Sequence, residues 1–138
     1  MEIDVRGPRF GAALTTAVLA VVLVTGSGWL LLAQSAVFAV GAGAGVRNSP
    51  YSWLFRAVVR PRIGPPPATE DPAPPRFAQA VGLAFAVVGV IGYLVGPRWL
   101  GLAATACALA AAFLNAAFAY CLGCELYLLL RRSTTGSA

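Results

Sequence analysis

"FAQAVGLAFAVVGVIGYLVGPRWLGLAATACALAAAFLNAAFAY", residues 77–120, holds two long apolar runs divided only by Gly96, Pro97 and Arg98. Neither run contains Asp, Glu, Lys or Arg. Each approaches the ~20 residues that a helix needs to cross the hydrocarbon core of a bilayer. Apolar stretches of this length point to lipid rather than to an aqueous core, so the pair reads as a transmembrane helical hairpin, with helices over about 77–95 and 99–120.

Working towards the N-terminus, two more apolar segments appear, and they predict helices over about 10–25 and 29–46 with "TGSG" between them. The hairpins are separated by "RPRIGPPPATEDPAPPR", which carries seven of the ten prolines. Proline at that density excludes helix and favours an extended connector over 61–76. Both halves open with "PRF", at Pro8–Phe10 and Pro75–Phe77. Both place a tryptophan, Trp29 or Trp99, at the entry to the second helix. Each then runs into an amphipathic tail, "SPYSWLFRAVVR" or "CLGCELYLLLRR", which predicts interfacial helices over about 49–60 and 121–132. Ser49 suits a helix N-cap and Pro50 the first helical position. The expected fold is therefore all-α: a polytopic membrane protein forming one domain over 1–138, a four-helix transmembrane bundle of two tandem, parallel helical hairpins.

Composition agrees. The chain is 59% hydrophobic and 11% charged, with mean hydropathy +0.77, against roughly 25% charged in soluble chains. The net charge of +5 comes from arginine, because lysine and histidine are absent. These arginines sit at the ends of the apolar segments, which suits membrane topology better than nucleic acid. Nine of them (Arg6, Arg9, Arg47, Arg56, Arg60, Arg62, Arg76, Arg131 and Arg132) fall on the side of the termini and linker, and only Arg98 on the other. By the positive-inside rule the termini and linker face the cytoplasm of a multi-pass inner-membrane protein. A secretory leader over residues 1–35, with "AQSA" as its cleavage region, competes with this reading. It would take the partner helix from the first hairpin and turn the repeated "PRF" into a coincidence.

The segments are rich in alanine and glycine, which lets helix backbones approach closely. Gly82, Gly89, Gly92 and Gly96 recur along the third segment, the last two at GxxxG spacing. Gln34, Gln79 and Asn115 are expected to form interhelical hydrogen bonds, worth ~0.6–2 kcal/mol each. The first three spans lack Asp, Glu, Lys and Arg, which argues against a proton pump or an ion-coupled transporter.

The chemistry-bearing motif closes the last apolar run: "CLGCE", with Cys121, Cys124 and Glu125 at i, i+3 and i+4 and so on one helical face. Two thiols at that spacing can close a disulfide with their Cα atoms ~5–6 Å apart. A continuous helix from Gly101 to Leu130 would be about 45 Å long, beyond the ~30 Å hydrocarbon core, so a break near Gly123 is expected. A helix starting at the pair would stabilise a Cys121 thiolate through its N-terminal amides. Glu125 opposes a second negative charge but can accept the thiol proton. The bland readings are that the cysteines pack as small hydrophobes and that Glu125 pairs with Arg131 or Arg132. Cys107, fourteen residues before Cys121, reads as packing. No metal site is expected, since two thiolates do not complete a tetrahedral zinc centre, and no cofactor is expected either.

Together "RGPRFGAALTTAVLAVVL", "SPYSWLFRAVVRPRIGPP", "PPRFAQAVGLAF" and "AAFLNAAFAYCLGCELYLLLRR" resemble an actinobacterial integral-membrane family, DUF4395, over nearly the whole chain. The family's CxGCE motif corresponds to Cys121, Gly123, Cys124 and Glu125. The resemblance implies genomic neighbours of thioredoxin-like and rhodanese type, and with them thiol redox or sulfur handling. The leading expectation is a membrane thiol–disulfide or sulfane-sulfur relay: Cys121 the reactive thiol, Cys124 the resolving one, Glu125 the proton acceptor. Its partners would be the lipid bilayer and a cytoplasmic thioredoxin-like or rhodanese-type protein. The alternatives are a non-catalytic scaffold using the proline-rich linker, and a small permease for a sulfur compound.

Overall fold

The computed structural model describes residues 3–4, 6–64, 69–70, 73–118 and 120–135. Helix α1 spans Arg6–Thr25 and α2 spans Gly28–Gly43. After a single tight turn at Val46–Asn48 comes a helical arm built from α3 (Pro50–Leu54), a widened stretch Phe55–Val59 and α4 (Arg60–Ile63). Then follow α5 (Ala73–Leu94), α6 (Arg98–Phe118) and α7 (Leu122–Thr135). Among the described residues the regular structure is helical apart from a two-residue antiparallel pairing of β1 (Ile3–Asp4) with β2 (Thr69–Glu70).

Helices α1, α5 and α6 are long and apolar enough to cross a membrane; α2 is a shorter apolar helix. At 16 residues, α2 is about 24 Å long, short of the ~30 Å hydrocarbon core. Its end is set by glycine: Gly41, Gly43 and Gly45 crowd the last turn, and Gly45 takes φ +102°.

Two proline segments that the sequence reading excluded from helix lie inside helices. Pro61 sits in the first turn of α4, and Pro74 and Pro75 in the first turn of α5. In α5 the first-turn amides have no intrahelical acceptor, so losing them costs little there. Pro61 also accounts for the widened turns before it. It cannot donate to Ala57, and the Arg60 amide reaches back five residues, to Phe55 O. The rest of the proposed extended connector, 65–68 and 71–72, lies outside the described residues.

The packing follows side-chain size. The inward faces carry small residues: Ala12 and Thr15 on α1, Ala86, Gly89 and Gly92 on α5, Gly101, Ala104, Thr105 and Ala108 on α6. Large apolar residues such as Phe85, Val87, Val88, Ile91 and Phe113 face outward. In water so much exposed hydrocarbon would drive association; in lipid it costs nothing, and small residues inside let backbones meet. A modest cluster of Leu19, Val22, Leu31, Phe38, Ala86 and Ala108 forms the core. The principal contacts pair α2 with α5, α1 with α6 and α5 with α6, whereas the consecutive α1 and α2 touch much less.

The glycines sort differently from the sequence reading. Gly82 and Gly89, two helical turns apart, face α2: a Cβ on either would strike Phe38 at 2.8 Å or Leu31 at 2.6 Å. Gly92 lies against the Gly101 backbone of α6. Gly96 belongs to no packing motif; it takes φ +103° in the α5–α6 turn, with open space beside it. The GxxxG reading of Gly92 and Gly96 is therefore corrected: one is an interface residue, the other a turn residue.

The arginines do more than mark ends. Arg76 donates to Ala42 O (2.6 Å) and Gly43 O (2.7 Å), satisfying the last carbonyls of α2. Arg9 does the same for Ala116 O of α6 (3.0 Å), and Arg6 for Gly64 O beyond α4 (2.9 Å). Each guanidinium thus caps the C-terminal, partly negative end of a neighbouring helix. At the opposite end Arg98 lies 5.7 Å from the centroid of the Tyr93 ring and against Gly26.

Candidate functional site

The last apolar helix ends at Phe118, and Tyr120 N–H closes it with a wide turn onto Leu114 O (3.2 Å). Helix α7 begins at Leu122, so the break falls before Gly123 rather than at it. Cys121 is the N-cap: its carbonyl accepts from Glu125 N–H (3.0 Å) and its Sγ from Cys124 N–H (3.1 Å). Gly123 serves close packing instead. A Cβ there would lie 2.6 Å from both Cα and Cβ of Ala78, so its absence lets α7 rest on α5. Phe77 and Tyr127, with centroids 5.6 Å apart, complete that contact.

Cys121 and Cys124 are joined as a disulfide, Cα to Cα 5.1 Å. The i, i+3 spacing at a helix start brings the sulfurs together without bending the backbone elsewhere. Glu125, one residue on, is exposed, and its carboxylate has no hydrogen-bond or ion-pair partner among the described residues. Among those residues no three Cys, Asp or Glu side chains are placed so that they could hold a metal ion.

The disulfide forms part of the wall of a cavity of about 370 Å³. This void exists because the facing residues are small: Gly11 and Ala12 from α1, Ala78 and Gly82 from α5, Ala108 and Ala111 from α6. Its wall includes the Cys121–Cys124 pair as well as Phe38 and Phe85, and among the described residues no charged side chain lines it. Its polar groups include Gln79, Asn115 and Tyr51. Tyr51 donates from its hydroxyl to Gln34 Oε1 (2.6 Å), and burial raises its phenol above the usual range. Phe55, 3% exposed, anchors the helical arm against Phe10 (5.6 Å between centroids), which holds Tyr51 over the cavity. Ser49 caps α3 by accepting from Tyr51 N–H (3.3 Å), as the Ser49–Pro50 pair indicates.

Of the three polar residues expected to bond between helices, only Gln34 does so, to Tyr51, while its Nε2 stays buried without a partner. Gln79 and Asn115 have no side-chain hydrogen bond among the described residues and face the cavity. Cys107, read as packing, is instead an exposed free cysteine of α6 at the wall of the same cavity. The cavity itself had no sequence signal beyond polar residues stranded in apolar helices; Tyr51 had none.

These features define an α-helical protein with three helices long and apolar enough to cross a membrane and a cysteine pair beside an apolar cavity. The chain belongs to the family described as a domain of unknown function (DUF4395), which it matches over residues 3–132. No curated protein and no solved structure matches it.

Proposed function

We propose that the chain is a membrane thiol–disulfide relay working through Cys121 and Cys124 at the cytoplasmic interface. Four helices, α1, α2, α5 and α6, would form its transmembrane bundle as two tandem hairpins, with both termini and the 61–76 linker in the cytoplasm. The arm 50–63 and α7 would lie in the interface. The observation that carries the reading is the disulfide at the N-cap of α7, where a helix amide already points at Cys121 Sγ.

In the forward step a partner thiolate attacks Cys121 Sγ. The S–S bond breaks and Cys124 leaves as a thiolate, while the exposed Glu125 carboxylate takes the proton shed by the partner thiol. A second partner thiolate attacks the mixed disulfide, forms the partner's own disulfide and releases Cys121 as a thiolate. That thiolate is a good leaving group because the α7 N-terminus stabilises it. A thioredoxin-like protein suits this exchange. A rhodanese-type partner would instead hand sulfane sulfur to the Cys121 thiolate of the reduced pair, its own thiolate leaving. Cys124 then attacks Cys121 Sγ, the persulfide S–S bond breaks, and sulfide leaves as the disulfide closes.

Thiol trapping in native membranes tests the relay. With a bulky maleimide, both cysteines of the wild type should switch together between blocked and labelled when a cytoplasmic thioredoxin is supplied. Cys121→Ser and Cys124→Ser should each abolish exchange without affecting insertion. Labelling that is the same under every condition would sink the reading. The cavity also favours a second one, a permease for a small sulfur compound with the cysteine pair at its inner mouth. Uptake into vesicles that depends on Cys121 would select it over the relay.

A further inference from the structure

A dithiol that oxidises a partner must itself be reoxidised, and its surroundings identify the oxidant. The Cys121–Cys124 rim opens on a cavity of about 370 Å³, within the ~300–1,000 Å³ typical of small-molecule sites. Among the described residues no charged side chain lines it, so a charged nicotinamide or an oxyanion would be desolvated there without compensation from them. Phe38 and Phe85 place aromatic rings in its wall. Gln79 and Asn115, in its wall, hold side-chain amides without partners among the described residues. A lipid acyl chain would leave both amides unpaired, at about 1–3 kcal/mol each. A flat, neutral molecule with carbonyl oxygens would accept from them and stack on the aromatic rings.

We propose that this cavity holds the ring of a lipid-soluble quinone, and that the quinone reoxidises the Cys121–Cys124 dithiol; the proposal rests on the relay reading above. The electrons balance. Two S–H bonds break, one S–S bond forms, and two electrons pass to the ring. The two protons are taken up on its two carbonyl oxygens, giving the hydroquinone. Asn115 and Gln79 orient those oxygens by donating to them, and Phe85, 40% exposed towards lipid, marks the side from which a membrane-dissolved quinone enters.

The test uses the full chain in nanodiscs, reduced, freed of reductant and mixed anaerobically with a benzoquinone bearing a decyl tail. One hydroquinone should form per protein, read by ultraviolet absorbance, as two maleimide-reactive thiols disappear. Asn115→Leu, near-isosteric and free of the amide, should slow this oxidation at least tenfold. Ala111→Phe, which fills the cavity, should do the same. In both variants the disulfide should still be reduced by dithiothreitol at the wild-type rate, and an unchanged circular dichroism spectrum and melting temperature show that the variants are folded. If dithiothreitol exchanges with the pair but no hydroquinone forms, or forms as fast in both variants, the quinone assignment is overturned and the relay stands. If the pair exchanges with no dithiol, the relay itself falls, and the quinone proposal with it.

Discussion

Tyr51 shows how much one side chain can hold and how little of that its position in the sequence announces. Its hydroxyl is the partner of Gln34 Oε1, deep in α2, and Gln34 is 2% exposed with its Nε2 already orphaned. Removing the hydroxyl by Tyr51→Phe leaves the whole amide unsatisfied, which costs about 1–3 kcal/mol. Because burial raises the folded-state pKa, the stability this phenol supplies is complete below the ordinary phenol value of 10.0. It is lost as pH rises through the higher folded value. Thermal unfolding followed by circular dichroism should therefore show the wild type losing stability above pH 10.0, while Tyr51→Phe begins lower and changes less over that range. Parallel curves for the two proteins would refute the assignment. From the sequence, the polar residues Gln34, Gln79 and Asn115 were visible as oddities in apolar helices. Their fates were not, because whether an amide meets a hydroxyl or a void depends on what the neighbouring helix places opposite it.

At the scale of elements, the long apolar runs of α1, α5 and α6 and some helix ends are legible in the sequence. The Ser49–Pro50 cap and the start of α7 at Cys121 follow from local chemistry, since a cap is satisfied by residues two or three positions away. The role of Gly123 did not follow, because its reason lies on another helix. It lies just past the expected break and is the point where α7 rests on α5. Two effects compete in Gly123→Ala. Helix propensity favours alanine by up to about 1 kcal/mol. Against this, the new methyl would sit 2.6 Å from the Ala78 Cα, which is backbone and cannot rotate away. Overpacking of that kind costs about 1–3 kcal/mol, so it wins and α7 lifts from α5. Hydrogen exchange should then show loss of protection in α7, and the Phe77–Tyr127 contact should open, with α1 and α6 unaffected. Unchanged protection of α7 would mean that the helix is held by lipid rather than by α5.

Across the whole molecule the order of helices in the chain and their order in space part company. The repeated "PRF" and paired tryptophans suggest two hairpins, each a unit. Yet α1 and α2 touch each other far less than α2 touches α5 or α1 touches α6. The sequence hides this because the segments are apolar all round, and no polar stripe says which face meets protein and which meets lipid. Only side-chain volume does, through Gly82 and Gly89 opposite Phe38 and Leu31, and Gly92 opposite Gly101. The first half therefore lacks most of its packing without the second. Arg9 and Arg76 tie the halves further, each capping a helix of the other half. If the chain is cut between residues 66 and 67 and the two pieces are coexpressed, they should co-purify in mild detergent with the Cys121–Cys124 disulfide intact. Residues 1–66 expressed alone should be degraded or aggregate. Arg76→Ala, which uncaps α2 from across the cut, should weaken the association of the pieces more than it destabilises the intact chain, where the covalent link supplies a high effective concentration. Pieces that insert and persist separately would show that each hairpin is stable in lipid by itself, and that the contacts between halves add shape without holding the molecule together.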